Sequence, residues 1–207
     1  MADVLYSFRR IALFVLGVIF CTHNVNAQNT IVGSNDSLIA KAKRLQQYYN
    51  YSKEVSSGEL FRKLFFEEFP NSFQELNAIY GYNNDTAALL YYNSMDHINT
   101  LFDVNNINDT IFYKKIINIS IGGHWDADAV EIFQDGLRKR VLLKPELVTY
   151  ILEVYSKENI RKFWYFYFDG VFPPKKMPEE LKSIKHINPE IDKLMIQAFH
   201  EIKPKNK

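Results

Sequence analysis

Six consecutive aromatic residues, Phe163-Trp164-Tyr165-Phe166-Tyr167-Phe168, set the tightest limit on how this chain can fold. Ser156 leads into the run and Asp169-Gly170 ends it, which places it on a helix. A helix with large rings on every side must be buried all round or leave some of them exposed. Buried, the run is the centre of a core. Exposed, Trp164, Tyr165, Tyr167 and the adjoining Asp169 form a recognition patch, because Trp and Tyr are enriched where proteins grip one another.

The rest of the chain is spaced for helices. Leu38, Ala42, Leu45 and Tyr49 recur at intervals of four, three and four, behind Asp36 as N-cap. Ser56 with Glu59, and Ser72 with Glu75, have capping-box spacing. Pro70 stops one helix and Gly81 the next. Asn83-Asn84-Asp85 is a turn, with Asp85 expected to cap a helix bearing Ala88, Tyr91, Met95, Ile98 and Phe102 on one stripe. Asp109 opens a helix through Phe112, Ile116 and Ile119. The β-branched run Ile116–Ile121 also fits a strand by period alone, but no partner strand is visible. Asp128 and Glu131 have cap spacing, Arg138, Lys139 and Arg140 suit a helix C-terminus, and Pro145, Pro178 and Pro189 each open a helix. The expectation is an all-α single-domain bundle of roughly eight or nine helices over residues 36–203, after a flexible stretch at 28–35.

Residues 1–27 have the pattern of a cleaved secretory signal peptide. Arg9 and Arg10 precede an apolar run from Ile11 to Cys21, too short for the ~20 residues of a spanning helix. Val25-Asn26-Ala27 supplies the cleavage site, so the mature chain is expected in the periplasm or outside the cell, with no stable membrane insertion. Cleavage removes Cys21, the only cysteine, and with it any disulfide or thiol chemistry. It also removes Arg9, Arg10 and Asp3 from 25 basic and 24 acidic residues, leaving 23 of each sign. A balanced charge lacks the positive field on which nucleic-acid binders rely. Aromatics are 15% of the chain, with 8 Gly and 7 Pro, a composition that fills a core and excludes a disordered chain.

One stretch gathers groups capable of chemistry: Gly122-Gly123-His124-Trp125-Asp126-Ala127-Asp128-Ala129. If it is a helix start, the carboxylates cap free N–H groups and Trp125 packs on the core. If His124, Asp126 and Asp128 converge, they could serve a cell-envelope hydrolase. A metal site needs three or four converging ligands, and no two of the four mature histidines are four residues apart, so no metal and no cofactor are expected. No nucleophile elbow, phosphate loop or dinucleotide loop is present.

Asp36-Ser37-Leu38, Asp85-Thr86-Ala87 and Asp109-Thr110-Ile111 resemble the Asp-Ser/Thr-aliphatic acceptor of a bacterial periplasmic O-glycosylation system, which implies glycan on Ser37, Thr86 and Thr110. The segments Phe69–Phe73 with Tyr80-Gly81-Tyr82, Trp125–Ala129 and Phe163–Gly170 are similar to those of a group of small exported helical proteins without an assigned activity. In kind, though not by motif, the chain is also similar to periplasmic immunity proteins, which are small, helical and non-catalytic and plug a toxin's active site. The functional expectation is an exported, non-catalytic binder of a protein partner, its contact surface drawn from Trp125, Trp164, Tyr165, Tyr167 and Asp169. The alternative is the hydrolase built on His124 and Asp126.

Overall fold

The computed structural model describes residues 27–202, apart from 55–57 and 84. Residues 1–26, which carry the expected leader, lie outside this range, as does Ser56. The chain divides into two units, Met1–Ser37 and Leu38–Lys207, and the core belongs to the second. The fold is all-α. Its helices are α1 (Ala27–Tyr51), α2 (Gly58–Glu68), α3 (Phe73–Tyr80), α4 (Ser94–Phe102), α5 (Asp109–Ser120), α6 (Ala129–Leu143), α7 (Pro145–Leu152), α8 (Lys157–Phe168), α9 (Ile184–Ile187) and α10 (Pro189–Glu201). Two 3-10 turns, Tyr91–Asn93 and Glu179–Ser183, interrupt the series. Ten α-helices thus occur among the described residues, not eight or nine.

The aromatic run lies on α8 and is interior. Phe163, Trp164, Phe166 and Phe168 are 0% exposed, Tyr167 is buried, and Tyr165 is half-buried. Such a helix needs neighbours on every side, and it has them. Phe166 meets Phe73 of α3 at 5.8 Å between ring centroids and Phe133 of α6 at 6.3 Å. Trp164 stacks on Phe168 at 6.0 Å, and Phe168 meets Phe199 of α10 at 5.1 Å. α10 runs against α8 as the most extensive helix pair. Stacked and edge-on pairs at these separations are the favoured aromatic geometries. The recognition patch expected of Trp164, Tyr167 and Asp169 is therefore corrected: these side chains are spent on the core.

The Ile116–Ile121 run is helix rather than strand. Ile116, Ile117 and Ile119 are all fully buried, on α5. β-branched residues were selected there by packing on more than one side, which overrides their weak propensity.

Local signals held where they concern a single turn. Ser72 Oγ accepts from Glu75 N at 3.2 Å, and the Glu75 carboxylate returns to accept from Asn71 N at 2.8 Å. Ser156 caps α8 through Asn159 N, and Pro145 and Pro189 occupy first turns. Four expectations at aspartates fail. Asp36 sits inside α1, Ala27–Tyr51, rather than at a helix start. Asp85 has φ 60° in the turn of a two-stranded hairpin, Tyr82–Asn83 with Thr86–Ala87, instead of capping a helix. The left-handed conformation that Asp and Asn tolerate closes this hairpin. At Asp109 the cap is one residue earlier, where Asn108 Oδ1 accepts from Thr110 N and Ile111 N. Asp128 precedes α6, but its side chain caps nothing there.

Helix C-termini are satisfied from elsewhere in the fold. The Lys115 ammonium of α5 donates to Phe69 O and Asn71 Oδ1, both at 2.7 Å, and to Glu67 O at 3.4 Å, closing the end of α2. Arg140 of α6 donates to Phe102 O at the end of α4. Arg138 of α6 donates to Tyr167 O at 3.0 Å and Asp169 O at 2.6 Å, at the end of α8. Each cation meets orphan carbonyls at the negative end of a helix dipole. The basic cluster expected to serve its own helix instead ties α6 to two others.

Candidate functional site

The two most distinctive sequence segments meet. Asp169, just past α8, is buried, and its Oδ2 accepts from Trp125 N at 2.7 Å while Oδ1 accepts from Gly170 N at 2.9 Å. This carboxylate therefore holds the loop between α5 and α6 against the end of α8. Gln134 of α6 completes the junction, donating to Phe166 O at 2.6 Å. The paired glycines have separate tasks. Gly122 has φ +78°, a left-handed conformation that suits glycine. At Gly123 an added Cβ would lie 2.7 Å from the Phe166 ring and 2.8 Å from that of Phe73, so only glycine passes between them.

The loop's polar side chains diverge. His124 is exposed, with its ring edge-on to Phe73 at 5.0 Å. Asp126 is half-buried and accepts from the next backbone amide, Ala127 N, at 2.8 Å. Asp128, at φ 59°, turns away to accept from the Tyr91 hydroxyl at 2.6 Å. Trp125 is half-buried, its ring edge beside Gly170. No group of three or more His, Cys, Asp or Glu that could hold a metal occurs among the described residues. Three clefts on the surface are lined by other residues, without His124, Asp126 or Asp128.

Asp128 instead helps build a surface absent from the sequence-based expectation. Tyr91 lies between Tyr82 and Tyr92, at 5.3 and 5.2 Å between ring centroids. The hydrogen bond to the Asp128 carboxylate raises the Tyr91 phenol above its ordinary pKa and fixes the middle ring. Tyr92 is 89% exposed, and Tyr82, Leu89 and Met95 are exposed around it. Met95 also edges a cleft of about 400 Å³ between α4 and α6, with Ile132 and Leu143. The spacing predicts Tyr91 and Met95 on one helical stripe with Ile98 and Phe102, but Tyr91 lies in the 3-10 turn. The helix begins only at Ser94, so the buried face of α4 is set by His97, Ile98, Leu101 and Phe102, and Met95 points out. The adjacent pair Tyr91-Tyr92, close behind an Asn-Asn-Asp turn, was the signal for an exposed aromatic turn.

The expected glycan acceptors Ser37, Thr86 and Thr110 are all exposed. No helix of the described residues is long and apolar enough to cross a membrane. In comparisons with known proteins, the chain matches no family model, no curated protein and no solved structure.

Proposed function

We propose that the protein is an exported, non-catalytic binding protein, of the kind represented by periplasmic immunity and inhibitor proteins, and that it engages a protein partner through the tyrosine face of Tyr82, Tyr91 and Tyr92. The observation that carries this reading is Tyr92, 89% exposed beside a ring locked to Asp128. A large ring left in water on a fixed turn is ready for a partner, since its ordering cost has already been met in part. Export rests on the leader at residues 1–27, with cleavage after Ala27.

The test is capture from the native host's periplasm on the immobilised protein. The expected result is one stoichiometric protein partner, its affinity lowered by about 2 kcal/mol, roughly thirtyfold, by Tyr92→Ala. The circular dichroism of this variant should match the parent, because the side chain packs on no core residue. Equal capture by Tyr92→Ala would move the contact surface elsewhere. Activity on an envelope polymer that disappears in His124→Ala would replace the binding reading with the hydrolase.

Glycan on Ser37, Thr86 and Thr110 belongs to the same proposal. Thr86 sits on the hairpin that carries Tyr82, so a glycan there would border the contact surface. Protein purified from its native periplasm should exceed the mass of the bare mature chain, and Thr86→Ala should remove one increment. A native mass equal to the bare chain removes the modification.

A further inference from the structure

A second site lies away from the tyrosine face, where the 3-10 turn Glu179–Ser183 and α9 stand opposite α10. They enclose a groove of about 550 Å³, within the size range of small-molecule sites. Its floor is Met195, Ile196 and Phe199, with Met177 beside them. Lys182, Lys185, His186 and His200 stand around it, and Asp192 is the one lining carboxylate. Lys182 is already paired with Glu179, Nζ to Oε2 at 2.6 Å. Lys185 has no ion pair or hydrogen bond among the described residues and is exposed at the rim.

An apolar floor beneath an unpaired ammonium has two requirements. The exposed Ile196 and the half-buried Phe199 and Met177 gain by covering with hydrocarbon, and the Met177 thioether adjusts to a chain of variable shape. The ammonium gains by meeting an anion at the chain's end. A groove of about 550 Å³ has room for one alkyl chain. We propose that it binds a single-chain anionic amphiphile of the fatty-carboxylate class, with the chain laid along Met195, Ile196 and Phe199 and the carboxylate at Lys185.

Charge complementarity selects this occupant over a cationic amphiphile, and the test compares the two directly. Isothermal titration of the full-length protein with laurate, below its micelle concentration, should give saturable one-to-one binding. Dodecyltrimethylammonium has the same chain and the opposite charge and should bind at least tenfold more weakly. Acetate, a carboxylate without the chain, should not bind. Lys185→Glu should lower laurate affinity at least tenfold and narrow or reverse the preference between the two amphiphiles. Ile196→Gln, at a position already partly exposed, should weaken both. Both variants should keep the parent's thermal midpoint, so a loss of binding is not a loss of fold. The proposal is overturned by no saturable laurate binding, by equal affinity for the two amphiphiles, or by a Lys185→Glu variant that binds laurate as the parent does. It is overturned as well by concentration-dependent self-association that Ile196→Gln abolishes without laurate binding, since the groove would then seat a second copy of the chain.

Discussion

Acidification from pH 6.5 to about pH 4 is expected to destabilise this fold by on the order of 3 kcal/mol through one residue, His97. His97 is 0% exposed. Its ring lies 4.4 Å from that of Tyr49, 5.4 Å from Phe65 and 5.8 Å from Tyr80, centroid to centroid. Nδ1 is 3.1 Å from the Tyr80 hydroxyl, and Nε2 has no hydrogen-bond partner among the described residues. An imidazolium needs two acceptors, and this aromatic cage does not supply the second. Burial pushes the imidazole down to about 4 from its ordinary 6.5; Asp96 opposes the shift and Lys53 adds to it. The Asp96 carboxylate is itself held by the Tyr49 hydroxyl at 3.0 Å, while the Lys53 ammonium lies over the Tyr49 ring at 4.1 Å. Because the folded pKa is depressed, the contribution is fully present above pH 6.5. It fades as the unfolded chain begins to bind the proton, and is gone once the pH falls through about 4. Urea unfolding at stepped pH should show this slope in the parent and a flatter one in His97→Phe. Carboxylates titrate at the acid end of the same window, so the difference between the two proteins is the informative quantity. Parallel slopes would mean that the folded protein accepts the proton on His97 without penalty.

Replacing Asp169 by alanine should cost about 3 kcal/mol, the loss of two hydrogen bonds to a buried charged acceptor. The variant removes the acceptor from Trp125 N and Gly170 N together, and so detaches the α5–α6 loop from the end of α8. Asp169→Asn should recover only part of the loss, because one of its two terminal atoms is then a donor facing a donor. Denaturant midpoints measure the stability. Hydrogen exchange at the Trp125 amide locates the effect and should accelerate in Asp169→Ala before the core amides do. A midpoint within about 0.5 kcal/mol of the parent would show that the loop is held by packing of Gly123 between Phe73 and Phe166 rather than by the carboxylate.

Both residues show where the limits of sequence reading lie. His97 stands in sequence as a polar residue beside Asp96 and is marked as unusual only by the three rings that surround it, which come from α1, α2 and α3. Asp169 has the sequence position of a helix stop beside an aromatic surface. Its role as an acceptor depends on Trp125, 44 residues earlier. Neither partnership has a period or a spacing that a sequence pattern could reveal.

What the sequence determined by itself is the all-α class and the helix starts at Ser72, Pro145, Ser156 and Pro189. These depend on interactions within three or four residues: Ser72 with Glu75, Ser156 with Asn159, and proline at the first turn of α7 and α10. The tertiary structure alone decided which aromatic surface stays in water. Composition placed a surplus of rings in the chain, and the run at 163–168 was the evident place to look for an exposed one. That run is covered because α3, α6 and α10 surround α8, while Tyr92, on the 3-10 turn ahead of α4, meets the ring of the adjacent Tyr91 and is otherwise left in water. Burial is a property of what packs against a residue, and distant segments supply that packing.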